Sequence, residues 1–230
     1  MKRIQISFVM VGMKMLQFIR GLLFKIIYKV YLWSSKYSSE SFLGSRSIEY
    51  PFVIEELRKN SIHKDSKILL VGCAGDPLST ILPALEYETY GLDVKQVAIK
   101  YPKFHFIRGD IRKTNFPDNY FDVVVAVSSL EHVGVLEGDN EGDKKAIKEI
   151  MRILKHGGLC LVTCPITFKA KLTTYERVYD LTSLENLFRG FTTKVMKIFK
   201  EKNGYWVECS ASELSNSSKS VCLISAVKRA

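Results

Sequence analysis

Hydrophobic and polar positions follow two regimes along this 230-residue chain. Up to Trp33 the apolar residues recur at helical spacing, and every charged residue among them is basic. From Lys67 onward they come in short β-branched runs separated by turns. At about 100° per residue from Lys14, the positions Ser7, Gln17, Gly21, Lys25 and Lys29 fall within roughly 60° of it, and Arg20 lies aside at about 240°. Ile, Leu, Met, Phe, Val and Tyr fill the other face. The longest uncharged run, Ile4 to Met13, has ten residues, half of the about 20 that a spanning helix needs. The pattern predicts a basic amphipathic helix over residues 1–36. No small-residue cleavage site follows the apolar run, which argues against a secretory signal. "YSSESFLGSRS", Tyr37 to Ser47, reads as a linker. The domain proper starts at Ile48, where Val53, Ile54 and Leu57 have helical spacing.

The second regime alternates strands with helices or loops. "KILLVGC" (67–73), "YETYGLDV" (87–94), "FHFIRGD" (104–110), "YFDVVVAVSS" (120–129) and "HGGLCLVTCPI" (156–166) are strand candidates. The apolar run Val123–Val127 suits a parallel strand covered on both faces. "PLSTILPALE" (77–86), "DKKAIKEIMRILK" (143–155) and "TSLENLFRG" (182–190) read as helices, with Pro83 shortening or bending the first. "TTKVMKIFKEK" and "SVCLISAVKR" read as two closing strands. Alternation of this kind predicts an α/β domain with a mostly parallel sheet. Ligands in such sheets bind outside the carboxyl ends of the strands, where strand order reverses. That rule nominates Gly72–Asp76, Asp93, Asp110, Ser128–His132 and Cys164–Phe168.

Charge sharpens the division. Residues 1–66 carry a net +6, residues 67–166 a net −1 and residues 167–230 a net +5. The positive field therefore belongs to the flanks, where it suits nucleic-acid phosphates or anionic headgroups equally. Cys73, Cys160, Cys164, Cys209 and Cys222 are odd in number and contain no CxxC pair, so they form neither a disulfide framework nor a zinc site. No metal ligands are expected, and the compartment is a reducing one.

Gly72 and Gly75 let a ligand approach the backbone. Asp93 follows Gly72 by 21 residues, the place where a carboxylate accepts both ribose hydroxyls of an adenosine-type cofactor. Asp110 ends the third strand, within reach of an adenine amino group. The order "VGCAG … YGLD … IRGDI … FPDNYFDVVVAVSSLEHV … MRILKHGGLCLVTCP" resembles the class I S-adenosylmethionine-dependent methyltransferases, small-molecule type, over residues 48–200. The resemblance implies a Rossmann-like, doubly wound, mostly parallel seven-stranded sheet with an antiparallel final hairpin. It also implies S-adenosyl-L-methionine held by Gly72, Cys73, Ala74, Gly75, Asp76, Asp93, Asp110, Ile111, Ser128 and Ser129. The family's usual acid before the first glycine is Leu70 here, and its later glycines are Ala74 and Asp76. A nicotinamide cofactor fits worse, because Asp76 sets a carboxylate where GxGxxG loops hold pyrophosphate. A methionine moiety carries an ammonium instead, which Asp76 can meet.

Methyl transfer is an in-line displacement in which alignment does most of the work. His132, beside Glu131, is the candidate base; the competing expectation is that the pair only lines the cofactor's methionine end. Tyr175, Arg177 and Tyr179 fall where this family caps its acceptor pocket. Arg177 suits an acceptor carboxylate or phosphate and Tyr179 a sugar, against an ordinary Arg177–Asp180 ion pair. "EGDNEGD", residues 137–143, reads as a mobile lid or as a solvated connection that supplies Asp143 as a helix cap. "TCP", Thr163–Pro165, is similar to the cysteine motif of cytosine-5 RNA methyltransferases, but the partner Pro-Cys is missing, so Cys164 reads as core. The expected activity is methyl transfer to oxygen or nitrogen of a small, glycan or lipid-linked acceptor. The alternatives are an RNA methyltransferase using the basic flanks and a non-catalytic cofactor-binding subunit. The expected setting is cytoplasmic, with peripheral contact to the inner face of the membrane through residues 1–33. The helix could equally pack on its own domain or on a second copy in a homodimer.

Overall fold

The computed structural model describes residues 44–229; the predicted amphipathic helix lies outside them. The first helix, α1, spans Arg46–Lys59 and so begins inside the expected linker. The chain continues as β1 (Lys67–Val71), α2 (Leu78–Ala84), β2 (Glu88–Asp93), β3 (Phe104–Arg108) and β4 (Phe121–Val127). A short 3-10 turn, Leu130–His132, leads to α3 (Gly142–Ile153) and β5 (Leu154–Pro165). The two-stranded pair β6 (Lys171–Leu172) and β7 (Arg177–Val178) is followed by α4 (Leu181–Leu187). The closing strands are β8 (Phe191–Lys202), β9 (Tyr205–Cys209) and β10 (Ser220–Lys228). Among the described residues no helix is long and apolar enough to cross a membrane.

The main sheet has the order β3-β2-β1-β4-β5-β10-β8-β9. Strands β3 to β5 pair in parallel, and β5-β10, β10-β8 and β8-β9 pair antiparallel. This is the expected Rossmann-like architecture, with eight strands where seven were expected. The additional strand is β9. Its cause stands in the sequence as Asn203-Gly204, both with positive φ (53° and 80°), flanked by the pair Lys202↔Tyr205. An Asn-Gly two-residue turn is the strongest local hairpin signal.

Alternation on β4 explains the layering. Val124 and Ala126 face one core, with Ala146, Ile150 and Ile153 of α3 and Leu184 of α4. Val123, Val125 and Val127 face the other, with Val53 and Leu57 of α1 and Leu78 and Leu82 of α2. All five β4 residues are essentially sealed from water, and each fully buried valine contributes roughly 1.5–3 kcal/mol. Two crossovers, residues 94–103 and 109–120, contain no helix. Strand order reverses between β1 and β4, so the loops after these two strands face each other at one edge of the sheet.

Candidate active site

At that edge Gly72 has φ +72°, and a Cβ there would stand 2.4 Å from Ser129 Oγ. The first glycine is thus required by the approach of the two loops as well as by its own backbone. Gly75, φ +78°, has open space where a Cβ would stand. The Asp93 carboxylate is held by backbone donors, Ala74 N to Oδ2 and Lys95 N to Oδ1, each at 2.8 Å. Asp110 accepts from Arg112 N at 2.8 Å, Nε at 2.9 Å and Nη2 at 2.6 Å. Burial works against its charge, but the bonds from Arg112 keep Asp110 below the usual carboxylate range.

A cavity of about 470 Å³ runs over these loops. Gly72, Ala74, Gly75, Asp76, Asp93, Asp110, Ile111, Ser128 and Ser129 all line it. Cys73 does not. It is fully buried on the inner side of the loop, with Gly91 and Phe104 beside it, and burial pushes its thiol up to about 12. Of the residues nominated around the loop, Cys73 is the one whose side chain turns into the core instead of the cavity. The cavity's open glycine, fixed Asp93 and room fit an adenosine-type cofactor, whose sites run roughly 300–1,000 Å³.

Three residues that sequence reasoning did not nominate complete this end. Arg46 and Tyr50 of α1 line the cleft beside Asp76. Glu49, with no exposed surface, accepts from Ser128 Oγ and Thr163 Oγ1, both at 2.7 Å, and from Arg46 Nη1 at 2.6 Å. It ties α1 to the ends of β4 and β5 and holds Ser128 in a left-handed conformation (φ +39°), a strained state that persists only where its surroundings fix it. The available signal was an acid on the apolar stripe of α1, one helical turn before Val53. Asp76 accepts Leu78 N at 2.8 Å. Burial lifts its carboxyl to about 6, against that backbone bond and the Arg46 charge.

His132 stands between this cleft and a second cavity of about 440 Å³; Arg46, Ser128 and His132 line both. His132 Nδ1 lies 3.0 Å from the Tyr175 carbonyl, which can only accept, so Nδ1 donates and in the neutral ring the lone pair sits on Nε2. The Tyr175 ring packs on the imidazole with centroids 4.6 Å apart. Glu131 Oε1 lies 4.0 Å from His132 Nε2. Burial pushes the Glu131 carboxyl up to about 8, with Glu49 and Glu176 adding to it. Lys171, Glu176, Trp206 and Asn216 are further along the second cavity.

The other acceptor residues are placed differently from expectation. Arg177 is 8% exposed and donates to the carbonyls of Val133 at 2.5 Å and Asp139 at 2.6 Å. Its Nε lies 3.5 Å from Asp143. Tyr179 is buried, its hydroxyl bonded to Asp143 Oδ2 at 3.1 Å. Neither lines a described cavity, because β7 turns both toward α3. Nor does Arg177 pair with Asp180, which instead caps α4 through Ser183. Asp143 is not a helix cap either; Glu141 holds that position and Asp143 is the buried partner of Arg177 and Tyr179. The 137–143 loop is pinned rather than free: Asp139 accepts from Arg112 at 3.1 Å and Lys145 at 2.9 Å. Cys164 is fully buried and its thiol lies well above its ordinary value through burial, in keeping with a core role.

Comparison with known proteins agrees with this geometry. Residues 69–162 match the sequence model of the Methyltransferase domain family. A SAM-dependent methyltransferase from Methanosarcina mazei shares the fold with TM-score 0.58 at 15% identity, over 76% of this chain and 98% of that one. The cyclase SpnF shares it with TM-score 0.60 at 19% identity, over 80% of this chain and 82% of that one. The fold is the Rossmann-like one of these neighbours. Residues 69–162 thus carry the sequence pattern of the class I S-adenosylmethionine-dependent methyltransferases, a family whose cofactor is S-adenosyl-L-methionine. Among characterised relatives, the sterol 24-C-methyltransferase erg6 of Aspergillus fumigatus is 33% identical over 110 residues, 43% of this chain and 27% of that protein. The mitochondrial ubiquinone biosynthesis O-methyltransferase of Schizosaccharomyces pombe is 28% identical over 141 residues, 56% of this chain and 48% of that protein. The chain thus spans less than half the length of these relatives.

Proposed function

We propose that the chain transfers the methyl group of S-adenosyl-L-methionine to an oxygen or nitrogen of a small hydroxylated or glycan acceptor. The observation that carries this reading is the meeting of two cavities at Arg46, Ser128 and His132. Asp93 would hold the ribose, Asp110 and Ile111 the adenine end, and Asp76 the ammonium. The cofactor supplies an electrophilic methyl on a sulfonium. This chain's residues supply alignment, which is worth effective molarities of order 10⁵–10⁸ M. His132 Nε2, left with its lone pair, is positioned to take the acceptor's proton.

The second cavity is lined by Thr167, Lys171, Glu176 and Asn216, with Trp206 as its aromatic wall. Such a wall suits a ring bearing hydroxyls better than bare hydrocarbon. A lipid-linked form of that acceptor is favoured by one feature: Phe168, Leu172 and Tyr175 are exposed on the segment that carries Lys171. The test uses tritiated cofactor with a panel of hydroxyl and amine acceptors. Label on an acceptor, lost in Asp93→Ala together with S-adenosylhomocysteine affinity, is expected. Tight S-adenosylhomocysteine binding with no label on any acceptor would favour the non-catalytic subunit.

A further inference from the structure

One carboxylate oxygen at the junction of the cavities has nothing to bond. Glu131 is 1% exposed, and its Oε2 has no hydrogen-bond partner, although the residue lines the second cavity. A buried carboxyl oxygen without a partner is expensive. Two further donor atoms converge on it: Glu131, His132 and Glu176 each present a ligand atom, all within 4.8 Å of one another. His132 can offer only Nε2, because Nδ1 is engaged by the Tyr175 carbonyl. That backbone contact is the orienting bond that metal-binding imidazoles ordinarily make through their other nitrogen. Arg46 faces the same cavity, but its charge is met by Glu49 at 2.6 Å. Lys171 and Lys219 also line this cavity, each on a flexible stem that can move from an entering cation.

We infer that Glu131, His132 and Glu176 form a binding site for one divalent cation, of the zinc or manganese type, at the wall where acceptor and cofactor cavities meet. One imidazole and two carboxylates suit these ions rather than calcium or copper(I). Three protein ligands leave a coordination position open, as in catalytic rather than structural sites. With metal–ligand distances of about 2.0–2.2 Å and tetrahedral angles, ligand atoms lie about 3.3–3.6 Å apart. The set must therefore close by up to roughly 1.5 Å. Glu176, on the exposed turn before β7, can make that movement. The site itself stands on its own donor atoms; its role in turnover rests on the proposed methyl transfer. An acceptor hydroxyl reaching the open position would lose its proton to water more readily, which makes the cation an alternative to His132 as the means of activating the acceptor.

The experiment titrates the full chain with Mn²⁺, followed by loss of the free-ion paramagnetic resonance signal, and with Co²⁺, followed by visible absorption. Quenching of tryptophan fluorescence adds a local readout, since Trp206 lines the cavity and Trp33 is the one other tryptophan. One ion per chain is expected, with affinity lowered at least tenfold in Glu176→Gln and in Glu131→Gln. Absence of binding up to millimolar ion, or binding unchanged in Glu176→Gln, would overturn the site. Because Glu176 is half-exposed, that variant tests the site even if Glu131→Gln fails to fold. S-adenosylhomocysteine calorimetry on the same preparation separates the two ideas: cofactor binding without the ion sinks only the site, and ion binding without the cofactor sinks only the proposed transfer.

Discussion

The two ends of β4 treat carboxylates in opposite ways. At the amino end, Asp122 accepts Lys67 N at 2.9 Å and Lys155 Nζ at 2.6 Å. Nearby Arg152 bridges Asp118 at 2.5 Å and Glu149 at 2.7 Å, and Glu149 also takes both donors of Thr114. Hydrogen bonds from Arg152 hold Glu149 down at about 2. At the carboxyl end Glu131 is buried and Asp76 half-buried, and the loss of water pushes both carboxyls up. One end of the sheet spends its acids on holding loops and helix termini together. The other keeps two acids poorly matched beside the well-paired Glu49, Asp93 and Asp110, an arrangement that favours a ligand able to match them. This division is what the reversal of strand order predicts, since both loops at the switch are free to face a cavity.

The comparison is broken most severely at Gly72. Gly72→Ala places a Cβ against Ser129 in a left-handed backbone, costing about 1–3 kcal/mol of stability and lowering S-adenosylhomocysteine affinity more than tenfold. Denaturant unfolding and calorimetry on one sample measure both. Unchanged affinity would mean that the loop does not shape the cofactor cleft. At the opposite end, Glu149→Ala is expected to cost about 1–2 kcal/mol through its lost charged hydrogen bonds, with cofactor affinity unchanged. The stability that Glu149 gives is present above its unfolded value near 4.5 and fades as pH falls toward about 2, so acid unfolding should shift upward in pH in the variant.

The smallest effect is one of pH. Burial lifts Asp76 above its unfolded value, so its protonated form favours the fold below about pH 4, and that contribution is gone once pH has risen through about 6. An ammonium needs the ionised form instead. Cofactor affinity should therefore weaken several-fold as pH drops through 6, and Asp76→Asn should flatten the profile. A profile identical in the variant would remove Asp76 from the ammonium site.

Most of the parallel half was legible in the chain. Strand runs ending in Gly72, Asp93, Asp110 and Ser128 carry their own signal, because a sheet covered on both faces demands continuous apolar residues and leaves polar ones only at the ends. The segment after β5 was less legible. A two-residue strand such as β7 offers no periodicity from which to tell inward from outward, so Arg177 and Tyr179 read as acceptor ligands when they are buried partners of Asp143.

Sequence alone determined the succession of the parallel strands, the loops at their carboxyl ends and the place of His132 after β4, all of which follow from local runs and their endings. Tertiary structure decided what those residues meet. Glu49 reaches Ser128 and Thr163 across 79 and 114 residues, and Glu131 comes near Glu176 only when the β6–β7 turn folds back over the sheet. Whether a carboxylate is paired, buried or left waiting for a ligand depends on distances between segments, and no local pattern encodes those.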